Sequence, residues 1–394
     1  MSISDVTVIT NSNASYLPDS SLPDYGRNSF FSSHSDPATR PSTYDQLIDY
    51  LRTLRVPILD RHDIVLEKEL GVGATFSVSR ARVLNRVLNA SVVAVKSPRA
   101  SIHSSPFILQ RTLKEILDET KVMAYFSANA HVATLHGVIL EEKGGGLFLP
   151  RLVMEHAVGS LGSFLRGYRL PWNLKLQFAM ETAAGLHALH SIQVVHADAK
   201  ADNILIFHSS EYQGDIRSPH LVAKVSDFGF CVPDVLSRTE ATLKGTLRFT
   251  APEALAEAPP KLRRLANLPE RDIYSFGVLL WEILTDGSKP FVGVADDAVH
   301  ALQLQSQDAA AIHLLATWKG LARLPFPPLN AFLDAIRGTV RKHPSEDGGR
   351  MTWQQIYEVL VVAADGTCTS PNDQLTFNDV GFDQLIARLT ADLF

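Results

Sequence analysis

Cysteine and positive charge are both scarce in this chain. Only Cys231 and Cys368 occur among 394 residues, too few for the disulfide framework of a small secreted domain. The 37 Lys and Arg residues are outnumbered by 42 Asp and Glu residues, which gives a formal net charge of -5. This balance argues against a broad basic surface for nucleic acid or anionic lipid. We therefore expect an intracellular, cytoplasmic protein that binds no nucleic acid.

Long hydrophobic runs are missing too. Residues 277–281, among the longest apolar runs, fall far short of the roughly 20 residues of a membrane-spanning helix. The first residues lack the basic flank and apolar stretch of a signal peptide, so we expect a soluble chain with no membrane span. Hydrophobic residues still make up 45% of the sequence, which is typical of a chain that folds around a core.

Composition and periodicity divide the chain into segments. Residues 1–42 are rich in Ser, Asn, Asp and Pro and predict a disordered tail. The segment of residues 43–61 contains a predicted amphipathic helix, whose pattern stops at Pro57. We expect this helix to pack on the domain that follows, with partner binding as the alternative. Residues 62–362 form the main domain, and residues 363–394 predict a linker and a terminal helix with an apolar stripe.

The main domain changes character along its length. β-branched runs and glycine turns predict antiparallel strands early on, interrupted by one helix from Pro106 to about Ser127, and helical periodicity dominates after Leu161. We predict an α+β fold with a small antiparallel β-rich lobe over residues 62–155 and a larger helical lobe over residues 158–362.

Two features of the predicted β-rich lobe suggest a site for phosphates. Gly71 and Gly73 lie in a turn between two predicted strands, where bare backbone N–H groups can approach a phosphate, although an ordinary hairpin turn explains the same pattern. Lys96 follows an apolar run on a later strand, where an unpaired ammonium would be costly to bury. Lys96 therefore calls for an anionic partner.

A more specific cluster follows in the predicted helical lobe. Asp198, Lys200 and Asn203 lie in a polar loop that we predict to run between two apolar strands, and Asp227 follows at the end of a later strand. Phosphoryl transfer needs an Asp to orient or accept the hydroxyl proton and a Lys to neutralise the phosphoryl group. It also needs oxygen ligands for Mg²⁺, which Asn and Asp supply.

In their order along the chain, these motifs resemble those of the eukaryotic protein kinase family, over residues 71–350. The resemblance implies the bilobal kinase fold, Asp198 as the catalytic aspartate, and Asn203 and Asp227 as metal ligands. Lys200, two residues after Asp198, is typical of Ser/Thr kinases. The resemblance also implies protein substrates, ATP, and Mg²⁺ with Mn²⁺ as an alternative.

The same resemblance assigns the nucleotide contacts. Lys96 would contact the phosphates, a pair of small-lobe residues and one from the large lobe would sandwich the adenine, and Met154 would stand in the gatekeeper place. An ordinary strand that leads into a turn is the alternative interpretation of the segment around Met154. The nucleotide-binding set is Gly71, Gly73, Val78, Ala94, Lys96, Met154, Glu155, Ala157 and Leu205.

Kinases pair this lysine with a glutamate on the small-lobe helix, and both Glu115 and Glu119 are available. Family members carry an apolar residue four positions after the glutamate. Met123 holds that place for Glu119, whereas Glu115 would put Glu119 in an apolar stack. We therefore predict Glu119, and the catalytic set becomes Asp198, Lys200, Lys96 and Glu119.

Other matched motifs point to structural support. By resemblance, Glu253 should form a buried ion pair with Arg350, because buried charges persist only when they are paired. Asp272, near the start of a long predicted helix, should hold the backbone of the catalytic loop.

The sequence departs from the family pattern at several places, and three of them bear most directly on function. Ala197 replaces the arginine that pairs with a phosphorylated activation-loop residue, so we predict activity that does not depend on phosphorylation there, at Ser237, Thr239 or Thr242. Phe76 replaces the third glycine of the phosphate loop. Residues 254–271 form a longer connection than usual, which we interpret as a surface insertion and a candidate docking site.

Three functions fit the sequence. The prediction is an ATP-dependent protein kinase of the Ser/Thr type. The first alternative is a pseudokinase scaffold, favoured by Ala197 and Phe76 but opposed by the retained catalytic set. The second is a small-molecule phosphotransferase of kinase-like fold, opposed by the Ala-Pro-Glu end of an activation segment at residues 251–253. Partners beyond substrates would bind at either terminal helix or at residues 254–271.

Overall fold

The computed structural model describes residues 43–84, 88–99, 106–142, 148–209, 221–231, 245–266, 268–317, 327–344 and 349–367. The predicted tail over residues 1–42, the terminal segment from residue 368 and the three candidate phosphorylation sites lie outside this part of the chain. The described residues form two compact units. Of these residues, the β-rich unit holds those from 43 to 157 together with Ser226–Cys231, and the helical unit holds those from 158 to 225 and from 245 onward.

The β-rich unit is built on a five-stranded antiparallel sheet. Its strands follow the order β1, β2, β3, β5, β4 across the sheet. Strand β3 is central and almost continuously apolar, so its side chains are buried on both faces. One face packs in a core that includes Val93, Val95 and Val153. The strands are β1 (Ile64–Val72), β2 (Phe76–Val83), β3 (Val92–Pro98), β4 (Leu135–Glu142) and β5 (Phe148–Glu155).

Two helices complete this unit, α1 (Tyr44–Thr53) and α2 (Pro106–Tyr125). Thr43 and Gln46 form a capping box that starts α1. The apolar face of α1 packs on α2 and the sheet through Leu47, Leu113, Leu117 and Leu149. The predicted amphipathic helix is therefore present, and it packs on the domain that follows rather than standing alone.

The segment after α1 is fixed to the edge of the sheet. The amide of Leu59 donates to the carbonyl of Val138 at 2.9 Å, and the amide of Val138 donates to Pro57 at 2.8 Å. The chains approach so closely that a Cβ added at Gly137 would lie 2.7 Å from the carbonyl oxygen of Pro57. Glycine is required at residue 137 for this contact.

The helical unit surrounds α6, which is buried along nearly its whole length. A small antiparallel sheet in the order β6, β7, β8 lies in the same unit. Helix α10 packs against α4 and α9, and α6 also packs on α9. The elements are α3 (Leu161–Gly167), α4 (Trp172–Ser191), α5 (Pro260–Arg263), α6 (Glu270–Leu284), α7 (Asp296–Gln303), α8 (Ala309–Thr317), α9 (Pro327–Thr339), α10 (Trp353–Thr367), β6 (Gly159–Ser160), β7 (Ile204–His208) and β8 (Leu221–Val225).

The predicted α+β, bilobal fold class is confirmed, with corrections to detail. The first of the two apolar strands expected around the catalytic loop was wrong, because Val195 forms only a single bridge residue after α4. Helix α10 runs to Thr367, so the linker expected from residue 363 does not begin there. None of the helices in the described ranges has the length and apolar character to cross a membrane.

The stretch predicted as a surface insertion is partly buried. Leu255, Ala258 and Leu262 form an apolar cluster that packs against Leu304 after α7. The basic side chains of the same stretch are exposed, namely Lys261, Arg263 and Arg264. Residues 254–271 therefore anchor themselves on the helical unit and present a basic outer surface.

Candidate active site

The glycine turn joins β1 to β2 in the β-rich unit. The amide of Gly73 donates to the carbonyl of Phe76 at 2.8 Å, which closes the turn. Neither Gly71 nor Gly73 has the left-handed backbone that favours glycine, and a Cβ added at Gly71 would meet nothing within 4 Å. The ordinary-turn interpretation therefore leaves both glycines unexplained. The missing side chains leave open backbone, which suits the close approach of a phosphate.

Lys96 on β3 meets two carboxylates. Its Nζ donates to Oε1 and Oε2 of Glu119 on α2 at 2.9 and 2.8 Å, and to Oδ1 of Asp227 at 3.0 Å. Lys96 and Glu119 are buried, with 8% and 1% of their surfaces exposed. Burial alone would lower the pKa of the Lys96 ammonium, but the attraction of Glu119 and Asp227 raises it above its ordinary value. Lys96 therefore stays charged.

Of the two glutamates considered as partners of Lys96, these distances place Glu119 beside its ammonium. Met123, one turn after Glu119, is fully buried as its apolar character required. Glu115, one turn before Glu119 on α2, instead accepts from Nε of Arg111 at 3.0 Å.

Phe76, which stands in place of the third glycine, contacts the same lysine. The Nζ of Lys96 lies 4.9 Å from the centre of the Phe76 ring. An ammonium over an aromatic face is attracted by the ring quadrupole. The substitution therefore adds a contact to Lys96 instead of leaving a bare loop.

The predicted adenine contacts of the β-rich unit share one face of the sheet. Directly paired residues point to the same side of an antiparallel sheet, as do residues two apart on one strand. Val78 pairs with Lys96, and Ala94 pairs with Met154. These four residues therefore line the face opposite Val93 and Val95. Glu155 ends β5 on that sheet, and Ala157 follows it.

In the helical unit, Asp198 is the centre of a dense hydrogen-bond network. Its Oδ1 accepts from the amide and the hydroxyl of Thr246 at 2.8 and 2.7 Å. Its Oδ2 accepts from Nζ of Lys200 at 2.7 Å and from Nδ2 of Asn203 at 2.9 Å. Only 3% of Asp198 is exposed. The structure thus brings together the three loop residues selected from the sequence, and it adds Thr246.

Leu205, the remaining nucleotide candidate, lies on β7 directly after this loop. It pairs with Ser160 on β6 and with Lys224 on β8. The loop and Leu205 are therefore anchored by the same small sheet.

Asp272 holds the backbone of the loop, as predicted. Its two carboxylate oxygens accept from the amides of His196 and Ala197 at 2.6 and 2.9 Å. Burial alone would raise the pKa of Asp272, but the hydrogen bonds that it accepts from His190 and from the backbone amide of His196 hold it below its ordinary value. Asp272 therefore acts as an ionised acceptor beneath the loop.

Sequence reasoning missed the side chains that orient Asp272. Nε1 of Trp353 donates to Nδ1 of His190 at 2.8 Å, which leaves Nε2 of His190 to donate to Asp272 at 2.9 Å. The chain of contacts from Trp353 to the loop crosses 163 and then 82 residues of sequence. Local patterns give no signal for such a contact.

The predicted ion pair between Glu253 and Arg350 is confirmed. Two bonds of 2.6 and 2.8 Å join the guanidinium to both carboxylate oxygens, and neither side chain is exposed. Arg350 also donates to the carbonyls of Glu270, Arg341 and Lys342. Because all these partners are structural, the pair stabilises the end of the activation segment.

Magnesium binding depends on the oxygen donors that the described residues provide. In the described ranges, no group of three or more His, Cys, Asp or Glu side chains could hold a metal ion by itself. Mg²⁺ is commonly bound by only one or two protein oxygens together with the phosphates of its substrate. The carboxylate of Asp227, which is 43% exposed, and the side-chain amide of Asn203 each provide an oxygen of the kind that such binding uses.

Several known proteins are similar to this chain in sequence. A family model for protein tyrosine and serine/threonine kinases matches residues 64–314. The megakaryocyte-associated tyrosine-protein kinase of Rattus norvegicus is 34% identical over 59% of the chain and 42% of its own length. Mitogen-activated protein kinase kinase kinase 11 of Rattus norvegicus is 30% identical over 59% of the chain and 25% of its own length.

A putative serine/threonine-protein kinase/receptor of Acanthamoeba polyphaga mimivirus is 30% identical over 61% of the chain and 13% of its own length. The aligned segment therefore spans less than half the length of each of these relatives.

Proposed function

This chain belongs to the protein tyrosine and serine/threonine kinase family, and on that premise we propose that it transfers the γ-phosphate of ATP to hydroxyl groups of protein substrates. The observation that carries the proposal is the setting of Asp198. Its carboxylate is held by Thr246, Lys200 and Asn203 at distances of 2.7 to 2.9 Å. A fixed, buried carboxylate beside an ammonium suits a hydroxyl nucleophile that must be oriented and deprotonated.

The proposed roles follow from the contacts of each residue. Asp198 orients the substrate hydroxyl and accepts its proton, and Lys200 beside it neutralises charge on the transferred phosphoryl group. Lys96, kept charged by Glu119, binds the phosphates of the nucleotide. Asn203 and Asp227 would hold Mg²⁺, which supplies charge neutralisation when bound. Mn²⁺ is the alternative ion for the same oxygen and amide ligands.

The nucleotide itself is proposed to bind through surfaces that are largely apolar. Val78 and Ala94 would contact one side of the adenine and Leu205 the other, with Met154 as the gatekeeper. The backbone of Glu155 and Ala157 would bond the adenine edge. The open backbone at the glycines supports binding of the phosphates there.

We propose Ser and Thr as the acceptor residues. Support comes from Lys200, whose Nζ donates both to Asp198 and to the hydroxyl of Thr246, each at 2.7 Å. The names of the relatives divide between tyrosine and serine/threonine kinases, so the proposal of Ser and Thr depends on this loop alone.

A nucleotide-binding scaffold without phosphotransfer is the second candidate. It is favoured by the Phe76 ring, which contacts the ammonium that would bind phosphate, and by Ala197 in the catalytic loop. The network around Asp198 favours the enzyme.

The deciding experiment measures transfer of labelled γ-phosphate from Mg²⁺-ATP to a library of Ser, Thr and Tyr peptides, with Asp198→Asn as the blank. We expect label on Ser and Thr that disappears in the variant and on removal of Mg²⁺. Label on Tyr alone would refute the acceptor assignment. No label above the blank, with nucleotide binding retained, would refute the enzyme and support the scaffold.

A further inference from the structure

The catalytic loop keeps an unusual backbone although it lacks its arginine. Ala197 has φ 67, in the left-handed region that non-glycine residues rarely adopt. Its amide donates to Asp272 at 2.9 Å, and only 4% of the residue is exposed. Neighbouring groups must therefore hold the amide and the carbonyl of Ala197 in this rare backbone conformation. The methyl side chain of alanine has no polar atom that could do so.

Arg271 supplies a guanidinium to the same place from α6. It is 1% exposed, one residue before Asp272, and its Nη2 donates to the carbonyl oxygen of Ala197 at 3.3 Å. Asp272 thus binds the amide of Ala197 while Arg271 binds its carbonyl. Consecutive residues of one helix hold both sides of this residue.

The activation segment meets the same guanidinium at Gly245. That residue has φ 138, and a Cβ added there would lie 3.0 Å from the carbonyl oxygen of Ala197 and 3.5 Å from Nη2 of Arg271. A side chain would therefore crowd the carbonyl of Ala197 and touch the guanidinium of Arg271. Arg271 lies where the catalytic loop, α6 and the start of the described activation segment converge.

Charge explains how a guanidinium can be buried there. A buried charge persists only when opposite charges or hydrogen bonds compensate it. Burial lowers the pKa of Arg271, and the carboxylates of Asp272, Glu253 and Asp198 oppose that effect by attraction. The positive charge of Arg271 therefore acts on the carboxylate that we propose as the catalytic one.

We propose that Arg271 is a positioning residue that replaces, from α6, the arginine missing at residue 197, fixing the catalytic loop through the Ala197 carbonyl and balancing the negative charge around Asp198. The inference rests on the proposed function for its kinetic consequence, but its structural part stands on the contacts alone. The charge that other kinases recruit through a loop arginine is here built into a buried helix.

The kinetic test compares Arg271→Met and Arg271→Lys with Arg337→Met, which removes the same charge from an exposed position on α9. We expect Arg271→Met to lower kcat for peptide phosphorylation by about 10- to 100-fold, the range for a displaced reacting group, with the KM for ATP nearly unchanged. Arg271→Lys should lie between the two, because it keeps the charge but loses the planar fork. Equal kcat in Arg271→Met and Arg337→Met would overturn the proposal.

Amide hydrogen exchange tests the same inference without any activity. The amides of His196 and Ala197 should exchange faster in both Arg271 variants than in the wild type, while Trp353–Thr367 stays unchanged. Unchanged exchange at His196 and Ala197 would overturn the proposal. If Arg271→Met does not fold, Arg271→Lys carries both measurements. If the wild type transfers no phosphate, the proposed function fails and the exchange comparison still decides the role of Arg271.

Discussion

Two buried ion pairs hold side chains in place in this chain. Lys96 with Glu119, and Glu253 with Arg350, are each removed from water and joined by two short bonds. A buried pair is costly to form, but removal of one partner is costlier because it leaves the other charge uncompensated. Substitution of one residue in such a pair should therefore cost much more than substitution in an exposed pair on the same helix.

Glu119→Gln and Glu115→Gln test that difference on one helix. We expect Glu119→Gln to lower kcat/KM for ATP by about tenfold or more, because Lys96 loses the carboxylate that orients it. Glu115→Gln should have little effect, since Glu115 pairs with Arg111, whose side chain is 55% exposed. Steady-state kinetics with varied ATP would check this, and similar losses in both variants would contradict the assignment of Glu119.

Glu181 on α4 should make stability depend on pH. Burial raises its pKa from 4.5 to about 8, although the amide of Ala223 and the side chain of Gln177 donate to it. Between these two values the folded state keeps a proton that the unfolded chain has lost. Stability should therefore fall as pH rises from about 4.5 to about 8, by up to about 1.4 kcal/mol per unit, and level off above.

Glu181→Gln removes this titration while keeping a hydrogen-bond acceptor. The melting temperature of the variant should rise relative to the wild type between about pH 5 and about pH 8.5. Glu358→Gln on the exposed side of α10 provides the matched control. A constant difference between Glu181→Gln and the wild type across this range would refute the raised pKa.

Among the helices and strands, α1 supports the helix that carries Glu119. It lies before the residues that the family model matches, yet Leu47 and Leu51 are fully buried. Helix α1 contacts the helix that carries Glu119, and the hydroxyl of Tyr50 donates to the carbonyl of Leu117 at 3.4 Å. The segment after α1 is fixed to β4 at Gly137. Helix α1 therefore stabilises the position of α2 by packing against it.

Leu47→Ala should weaken the packing of α1 on α2. Loss of a fully buried leucine side chain commonly costs about 2–5 kcal/mol of unfolding free energy. We expect this loss together with a raised KM for ATP, because α2 holds Glu119 against Lys96. The control is Asp49→Ala on the exposed face of α1, whose ion pair with Arg52 is largely solvated. Chemical denaturation and ATP kinetics would measure both effects. An unchanged KM at reduced stability would show that α1 is structural only.

The elements also show what the sequence could predict. Local patterns were sufficient for the glycine turn, the central strand with Lys96 and the polar loop of Asp198, because each is written in a few consecutive residues. Helical spacing was enough to choose Glu119, since Met123 one turn later had to be buried. The capped helix α1 was also predictable from Thr43 and its periodic leucines.

Contacts between distant residues were not predictable in the same way. No local pattern distinguishes a histidine that will meet a tryptophan 163 residues away, as His190 meets Trp353. Arg271 was missed because arginine is usually exposed, and its burial depends on carboxylates from other segments. Val195 was misassigned to a strand because an apolar pair looks alike in a strand and in a buried turn.

At the scale of the whole molecule, the candidate residues divide between the two units. Lys96, Glu119 and Asp227 form a network inside the β-rich unit. Asp198, Lys200 and Thr246 form a separate network inside the helical unit. The first set suits binding of nucleotide phosphates, and the second suits activation of the acceptor hydroxyl. Nucleotide binding and phosphotransfer should therefore be separable by mutation.

Lys96→Met and Asp198→Asn make that separation measurable. Mg²⁺-ATP at 100 times its Kd stabilises a protein by about 2.7 kcal/mol, which a thermal shift detects. Lys96→Met should lose most of this shift, measured against its own melting temperature without nucleotide, because the phosphates lose their ammonium. Asp198→Asn should keep the shift and lose peptide phosphorylation, because the carboxylate that we propose to orient and deprotonate the acceptor hydroxyl is gone. If Asp198→Asn abolished nucleotide binding as well, the two networks would not be independent, and the assignment of phosphate binding to the first network and acceptor activation to the second would be wrong.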